Sequence, residues 1–210
     1  MRVEVRRGAD RYRVARPGIE TWHSFSAGAH YDPANVSFGS LIAFDEHLLA
    51  PGAGFDRHPH RGVEIISYVV EGVLRHEDDT GPHDVPAGRL QHQSTGTGIH
   101  HVERNGSERE PVRFLQMWLL ADDPQAAPRY ATVDAADGVR VGDAQLRVHP
   151  LDVGEEAQLD ALRSLVFVVH GAVHVGSVEL GPGDAARVIG GPLRVVAGAN
   201  ALVLAWRLPG

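Results

Sequence analysis

Residues 68–74, YVVEGVL, and residues 167–173, FVVHGAV, share one pattern at an offset of 99 positions. In each stretch a short apolar run leads into a glycine turn, and a second apolar run begins directly after it. β-Branched and aromatic residues bounded by glycine are typical of two strands joined by a tight turn. Because the pattern occurs twice, we interpret the chain as two copies of one β-rich unit.

Similar short apolar runs occur on both sides of the two stretches. Long segments in which apolar residues repeat every 3.6 residues, as in an amphipathic helix, are missing. Gly, Pro and Asp clusters separate the runs, and only residues 155–164, EEAQLDALRS, favour a short helix. The fold class is therefore predicted to be all-β, a sandwich or a barrel. Strands are predicted near residues 39–49, 64–70, 73–77, 90–95, 101–104, 112–120, 146–150, 164–169, 172–175, 178–180, 185–189, 193–196 and 201–207.

The domain organisation follows from the repeat and from a change in composition. Residues 121–130, ADDPQAAPRY, are polar and rich in proline, which is typical of a linker between domains. We therefore predict two tandem β-barrels, one over residues 1–124 and one over residues 125–210.

Composition and charge exclude several classes of protein. The 210 residues are 43% hydrophobic and 22% charged, as in ordinary globular proteins. The net charge of −7 argues against general nucleic-acid binding, which needs a positive surface. No apolar run approaches the ~20 residues of a membrane helix, and the first residues lack a signal sequence. Cysteine is absent, so disulfides and thiolate ligands are excluded. We expect a cytoplasmic protein that binds neither nucleic acid nor membranes.

Two pairs of potential metal ligands have the same spacing. His58-Pro59-His60 is the first pair, and His101-Val102-Glu103 is the second. With 13 histidines in the chain, about one His-X-His pair is expected by chance, so the second pair matters more than the first. In a strand, side chains two residues apart point to the same face. Three imidazoles and one carboxylate suit a divalent first-row metal and leave coordination positions open.

Other polar residues near these pairs have more than one interpretation. His100 or His101 could be a surface loop residue. Glu64 would share the strand face of His60, as a second carboxylate or as a residue that pairs with a neighbouring charge. The remaining histidines of this region are interpreted as ordinary surface or pocket residues, with His92 the one most expected to face inward. They are His76, His83 and His92.

The second half of the chain offers no comparable ligands. At the offset of 99, the positions of His58 and His60 are occupied by Ala157 and Leu159. No His, Asp or Glu occurs from Ala185 to the end of the sequence. Metal chemistry is therefore predicted for the first barrel alone.

Several motifs resemble those of one known family. Gly52, His58-X-His60, Glu64 and Gly72 resemble the first cupin motif. Pro86-X-Gly88, then Gly96-Thr97-Gly98-Ile99 and His101-X-Glu103, resemble the pattern of the pirin family of bicupins. Residues 21–33, TWHSFSAGAHYDP, resemble the N-terminal signature of that family. The resemblance covers about residues 17–120 and implies two cupin, jelly-roll-like barrels.

The resemblance also implies a metal site. The matching ligands are His58, His60, His101 and Glu103, and Glu64 is not a ligand in this family. The family holds a single non-haem metal per chain, which implies Fe²⁺ here. Mn²⁺, Ni²⁺, Co²⁺, Cu²⁺ and Zn²⁺ are the other ions that such donors accept.

Two functions are compatible with this family. In the first, the protein resembles quercetin 2,3-dioxygenases, which use O₂ to open a flavonol-like or other enolic aromatic substrate, and Glu103 is a candidate general base. In the second, it is a non-enzymatic, redox-sensing binding module that regulates a transcription factor or a metabolic enzyme. The residues that bind a substrate are not indicated.

Overall fold

The protein, described over residues 1–209 by a computed structural model, divides into two compact units. The unit called here the N-terminal barrel comprises Tyr12–Ser37 and Leu41–Ala135. The C-terminal barrel comprises Met1–Arg11, Phe38–Ser40 and the chain from Ala136 onward. Antiparallel strands form almost all of the regular structure, and this confirms the prediction of an all-β protein with two barrels.

Twenty-one strands are found among the described residues. In chain order they are β1 (Arg2–Arg6), β2 (Tyr12–Arg16), β3 (Ile19–His23), β4 (Leu41–Leu49), β5 (Gly54–His60), β6 (Val63–Glu71), β7 (Val73–Asp78), β8 (Gly81–Pro86), β9 (Arg89–Ser94), β10 (Ile99–Asn105), β11 (Val112–Leu120), β12 (Arg129–Asp134), β13 (Val139–Val141), β14 (Ala144–Leu151), β15 (Glu156–Leu159), β16 (Arg163–His170), β17 (Val173–Val175), β18 (Val178–Leu180), β19 (Ala185–Ile189), β20 (Leu193–Ala197) and β21 (Ala201–Leu208).

Each barrel is made of one large and one small sheet. In the N-terminal barrel the orders are β12-β9-β6-β11-β4-β3-β2 and β5-β10-β7-β8. In the C-terminal barrel they are β1-β19-β16-β21-β14-β13 and β15-β20-β17-β18. Raising each number by ten converts β9-β6-β11-β4 and β5-β10-β7-β8 into the matching strands of the second barrel. The internal repeat is therefore a repeat of topology.

The glycines of the two repeated stretches occupy equivalent turns. Gly72 joins β6 to β7 and Gly171 joins β16 to β17, with φ angles of 77° and 78°. Side chains other than glycine rarely adopt this left-handed conformation. A Cβ atom would also collide with the carbonyl oxygen of Pro111 at the first turn and of Asn200 at the second. Both turns therefore require glycine, because the backbone is left-handed and because there is no space for a Cβ atom.

The observed division of the chain differs from the predicted boundary at residue 124. Strand β1 pairs with β19, which places the first residues in the C-terminal barrel. Strand β12 pairs with β9 from Arg129 to Asp134, so it belongs to the N-terminal barrel. The predicted linker also contacts this barrel, because the Thr97 amide donates a hydrogen bond of 3.0 Å to the Ala126 carbonyl.

The predicted helix over residues 155–164 is wrong. This segment forms β15 and the start of β16. Ala157 and Leu159 are buried while Glu156 and Gln158 are exposed, which is the alternation of a strand with one face on the core. Among residues 1–209 the only helical segment is the 3₁₀ turn Gly8–Asp10. No helix in this range is long and apolar enough to cross a membrane.

The C-terminal barrel is closed by an apolar core. Ala157 and Leu159 on β15 and Val175 on β17 all lie in one buried cluster of aliphatic side chains. At the offset of 99 these three positions correspond to His58, His60 and His76 of the N-terminal barrel. The same framework therefore has an apolar interior in one barrel and a histidine-rich interior in the other.

Candidate metal centre

Two neighbouring strands of the small sheet bring the predicted ligands together. Strands β5 and β10 are antiparallel, and His101 lies directly across from His58 while Ile99 lies across from His60. The register then shifts by one residue, so that Glu103 lies across from Phe55 instead of Asp56. This irregularity is a β-bulge, a feature that often re-aims side chains beside functional sites.

The imidazoles of His58, His60 and His101 form a compact triad. Their ring centroids lie 4.5 to 4.9 Å apart, and their ligand nitrogens lie within 4.8 Å of one another. The Nε2 atoms of His58 and His101 face each other at 3.0 Å. Metal–nitrogen bonds are about 2.0–2.1 Å long, so neighbouring ligand nitrogens of one ion lie at about this separation. The triad therefore fits the donor arrangement of a divalent transition metal.

The hydrogen bonding of His58 leaves one nitrogen available. Its Nδ1–H donates to the Asp56 carbonyl oxygen over 2.6 Å. Because a carbonyl only accepts hydrogen bonds, this contact places the proton on Nδ1 and leaves the Nε2 lone pair facing His101. A histidine that ligates a metal commonly has its other nitrogen held in this way.

Glu103 is held in position by two amides. The Nε2 group of Gln91 donates to Oε1 over 2.7 Å, and that of Gln116 donates to Oε2 over 2.8 Å. Oε2 also lies 4.0 Å from His101 Nε2. The carboxylate groups with His101 and His76 and is not grouped with His58 and His60. His101 thus belongs to both groups and links Glu103 to His58 and His60.

Comparison with known proteins assigns the chain to a family. The pirin family model matches residues 5–119, which is more than half of the chain. The chain belongs to the pirin family. The resemblance read from the sequence is thereby confirmed, together with the cupin barrels that it implied.

Several relatives of this pirin are similar over most of its length. A Mycobacterium tuberculosis protein, provisionally named a quercetin 2,3-dioxygenase, is 36% identical over 98% of this chain and 95% of its own. Quercetin 2,3-dioxygenase of Escherichia coli is 34% identical over 70% of this chain and 68% of its own. The crystal structure of bacterial pirin YhhW from Escherichia coli, in complex with nickel(II), matches with a TM-score of 0.94. That match has 28% identity and covers 99% of both chains.

His76 is the residue of this pirin site that sequence reasoning missed. It was interpreted as a surface or pocket residue, yet it is completely buried, directly across from Glu103 on the neighbouring strand. Strand alternation could have found it, because Leu74 and His76 share one face of β7 and Leu74 is a core residue. The interpretation of His92 as the inward-facing histidine was also wrong, since Gln91 beside it points into the barrel instead.

The other candidate residues lie outside the two groups of possible ligands. Glu64 Oε2 lies 2.7 Å from His92 Nε2, and Glu64 Oε1 accepts a hydrogen bond of 2.8 Å from the Ser94 hydroxyl. Glu64 therefore pairs with neighbouring side chains, which is the second of its two interpretations. His100 is exposed, while the adjacent His101 is buried. Whether His58, His60, His101 and Glu103 bind a metal stays a prediction.

Burial and mutual proximity keep the imidazoles of His60 and His101 neutral. Burial, followed by the nearby His58, lowers the pKa of His60 to about 4. Burial also lowers the pKa of His101 to about 4, aided by the neighbouring histidines and opposed by Glu103. Burial acts to raise the pKa of Glu103, but His101, His76 and the two glutamine amides hold it below its usual value. At neutral pH His60 and His101 are therefore neutral beside the ionised carboxylate of Glu103, the forms that bind metals.

These pKa values predict an acid-sensitive metal-free protein. In the unfolded chain a histidine takes up its proton near pH 6.5, whereas in the folded chain His60 and His101 do so near pH 4. The unfolded state therefore binds more protons between these values, and folding stability falls as the pH is lowered through that window. Protonation of Glu103 at lower pH acts in the same direction. We expect the Tm of metal-free protein to be steady from pH 8 to 7 and to fall below pH 6.5.

The variant His101→Gln removes one of the titrating groups and provides the comparison. Its Tm should fall less steeply than that of the wild type over the same pH range, as measured by thermal unfolding at half-unit steps. If the Tm of His101→Gln and of the wild type fell equally with pH, the lowered pKa of His101 would be contradicted.

Proposed function

We propose that this pirin binds one divalent transition metal in its N-terminal barrel and uses it with O₂ to oxidise a flavonol-like or other enolic aromatic substrate. The proposed ligands are His58, His60 and His101, with Glu103 as the carboxylate. The convergence of three imidazoles beside a buried carboxylate carries the proposal. Related proteins support the proposal. Several are named quercetin 2,3-dioxygenase, and a similar bacterial pirin is described in complex with nickel(II).

The choice of metal rests on the donor atoms and on the reaction. Imidazole and carboxylate donors without sulfur accept Fe²⁺, Mn²⁺, Ni²⁺, Co²⁺, Cu²⁺ or Zn²⁺. We propose Fe²⁺, because reaction with O₂ favours a redox-active ion. When bound, the ion would supply Lewis acidity that makes a substrate hydroxyl easier to deprotonate.

Glu103 is the proposed proton acceptor. A general base must approach the substrate hydroxyl to within about 2.6–3.2 Å. Its lowered pKa keeps Glu103 ionised at neutral pH but makes it a weak base. The amides of Gln91 and Gln116 fix the orientation of the carboxylate, and each amide is in turn bonded to an aromatic residue. Trp118 Nε1–H donates to Gln116 over 3.1 Å, and the Tyr130 hydroxyl donates to Gln91 over 3.4 Å.

The aromatic side chains also protect the imidazoles. The Trp118 ring lies edge-on to His60 at a centroid distance of 4.8 Å. Tyr130 stacks on His76 at 4.6 Å with an interplanar angle of 23°. These contacts exclude water from two sides of the histidine cluster and restrict the rotamers of its members.

The decisive experiment measures metal content and quercetin turnover together. Metal-free protein is reconstituted separately with each of the six ions, and the metal is counted by elemental analysis. Quercetin loss is followed by absorbance and O₂ uptake by an electrode. We expect one ion per chain, turnover with redox-active ions and none in the metal-free control.

Three other outcomes would contradict the proposal. Two tightly held ions per chain would contradict the single site. Turnover that only Zn²⁺ supports would contradict oxidation by O₂ at a redox-active ion. Stoichiometric metal binding without turnover of quercetin or other enolic aromatics would instead favour the regulatory binding module.

The cytoplasmic location stays a prediction.

A further inference from the structure

We propose that the centre contains a second, deeper metal position formed by His76, His101 and Glu103, with His76 as a ligand that Asp78 holds in place. The three-histidine triad of His58, His60 and His101 is then the outer position. This inference rests on the proposed function, because it concerns where the one proposed ion can lie.

The geometry of the deeper position matches that of the outer one. One ligand atom from each of His76, His101 and Glu103 lies within 4.8 Å of the others. All three residues are buried, whereas His58 and His60 of the outer position are only half-buried. The positions therefore differ in depth and share His101.

One of the two ring nitrogens of His76 has no hydrogen-bond partner. Its Nδ1 is buried, and no residue of the described chain forms a hydrogen bond with it. His101 Nδ1 is also buried and has no hydrogen-bond partner among the described residues. Buried polar atoms are almost always hydrogen-bonded, and an unpaired one destabilises the fold. A cation beside these imidazoles would supply the missing interaction.

Asp78 gives His76 the arrangement common to metal-ligating histidines. Asp78 Oδ2 lies 3.3 Å from His76 Nε2. Asp78 Oδ1 accepts hydrogen bonds from the Thr80 backbone amide over 2.8 Å and from its hydroxyl over 2.6 Å. The carboxylate is therefore fixed by its own turn and orients the imidazole. Carboxylate–histidine pairs of this kind set the ring orientation at metal sites and increase the basicity of the ligand.

The two positions exclude each other and offer different donors. Both require His101, so the centre holds one ion at a time. The outer position has three imidazoles, whereas the deeper one has two imidazoles and a carboxylate. Oxygen donors suit Mn²⁺ better than copper or nickel, which favour nitrogen. We therefore assign Mn²⁺ to the deeper position and use it as the probe.

The test removes the outer position and leaves the deeper one. The double variant His58→Gln/His60→Gln retains His76, His101 and Glu103, and the substituted residues are only half-buried. Mn²⁺ is titrated into the metal-free protein, and the free ion is measured by electron paramagnetic resonance. We expect one Mn²⁺ per chain, bound within about tenfold of the wild-type affinity, because His58 and His60 are not ligands of the deeper position.

Adding His76→Gln to the double variant should then lower the affinity at least tenfold. Adding His83→Gln instead is the matched control, because His83 also stacks on Tyr130 but belongs to neither group of ligands. This control should leave the affinity unchanged. In the otherwise intact chain, Asp78→Asn should weaken Mn²⁺ binding about 10–100-fold through the orientation of His76. Thermal unfolding confirms that each variant is folded.

Two results would overturn the inference alone. One is a folded double variant that binds no Mn²⁺ while the wild type does. The other is equal Mn²⁺ affinity with and without His76→Gln, since His76 would then not be a ligand. A wild type that binds none of the six ions would overturn the proposed function, and this inference with it.

Discussion

Replacing His101 with alanine is expected to abolish quercetin turnover and to lower metal affinity on the order of 100-fold or more. His101 lies across from His58 and belongs to both groups of possible ligands, so its removal damages the outer and the deeper positions together. Zinc sites of four ligands bind with about 10–16 kcal/mol, so one ligand accounts for about 3 kcal/mol. Metal affinity is measured by competition with a chelator of known affinity, and turnover by the loss of quercetin.

The matched control for this variant is His100→Ala. His100 precedes His101 on the same strand but is exposed, and it belongs to neither group of ligands. It should keep the metal affinity and the Tm of the wild type. A His101→Ala protein that binds metal as tightly as His100→Ala would show that His101 is not a ligand.

Replacing Glu103 with glutamine is expected to remove most turnover while retaining some metal. A glutamine oxygen can still ligate, but the negative charge and the base are lost. The new amide group would also face the donating amide of Gln91 or Gln116, where an oxygen now accepts. One buried donor then loses its acceptor, at a cost of about 1–3 kcal/mol in folding stability. Turnover is compared at equal metal loading, so that the role of Glu103 as a base is separated from its role as a ligand.

Glu64→Gln is the appropriate control, because Glu64 is a hydrogen-bonded carboxylate of the same barrel that belongs to neither group of ligands. It should leave turnover within about twofold of the wild type. Wild-type turnover by fully loaded Glu103→Gln would limit Glu103 to a structural or ligating role and would favour the regulatory module.

The sequence was sufficient to predict the fold class and most central strands. Strands such as β6, β11 and β16 are rich in buried apolar residues, and they were predicted to within a few residues. The repeat at 68–74 and 167–173 predicted the two barrels, because its glycines are required by the turn geometry.

The strands that were not predicted lie mainly at sheet edges. Strands β5 and β8 contain Pro59, Pro82 and Pro86, and both are edge strands of the small sheet. Proline is tolerated there because its missing N–H would otherwise point away from the ladder. Strand β1 was missed for a different reason, since its partner β19 is more than 170 residues away in sequence and only tertiary pairing reveals it.

The candidate site was predictable where it depends on local spacing. The i, i+2 rule led to His58, His60 and His101, which the fold brings together. The β-bulge after His101 could not be read from spacing, and it is one reason why Glu103 groups with His76 instead of His58. The glutamines that hold Glu103 come from β9 and β11, which belong to the large sheet while β10 belongs to the small one, so their role depends on the closed barrel.

The two barrels share one strand order, but they are expected to differ in how readily their segments unfold locally. In the C-terminal barrel, Ala157, Leu159 and Val175 pack in an aliphatic cluster that needs nothing from outside the chain. In the N-terminal barrel, imidazoles occupy the matching positions, and the buried Nδ1 of His76 lacks a partner. Segments with fewer satisfied contacts open at lower free energy than segments with a complete core. We therefore expect β5 and β7 of the metal-free protein to exchange their amide hydrogens faster than the equivalent strands β15 and β17.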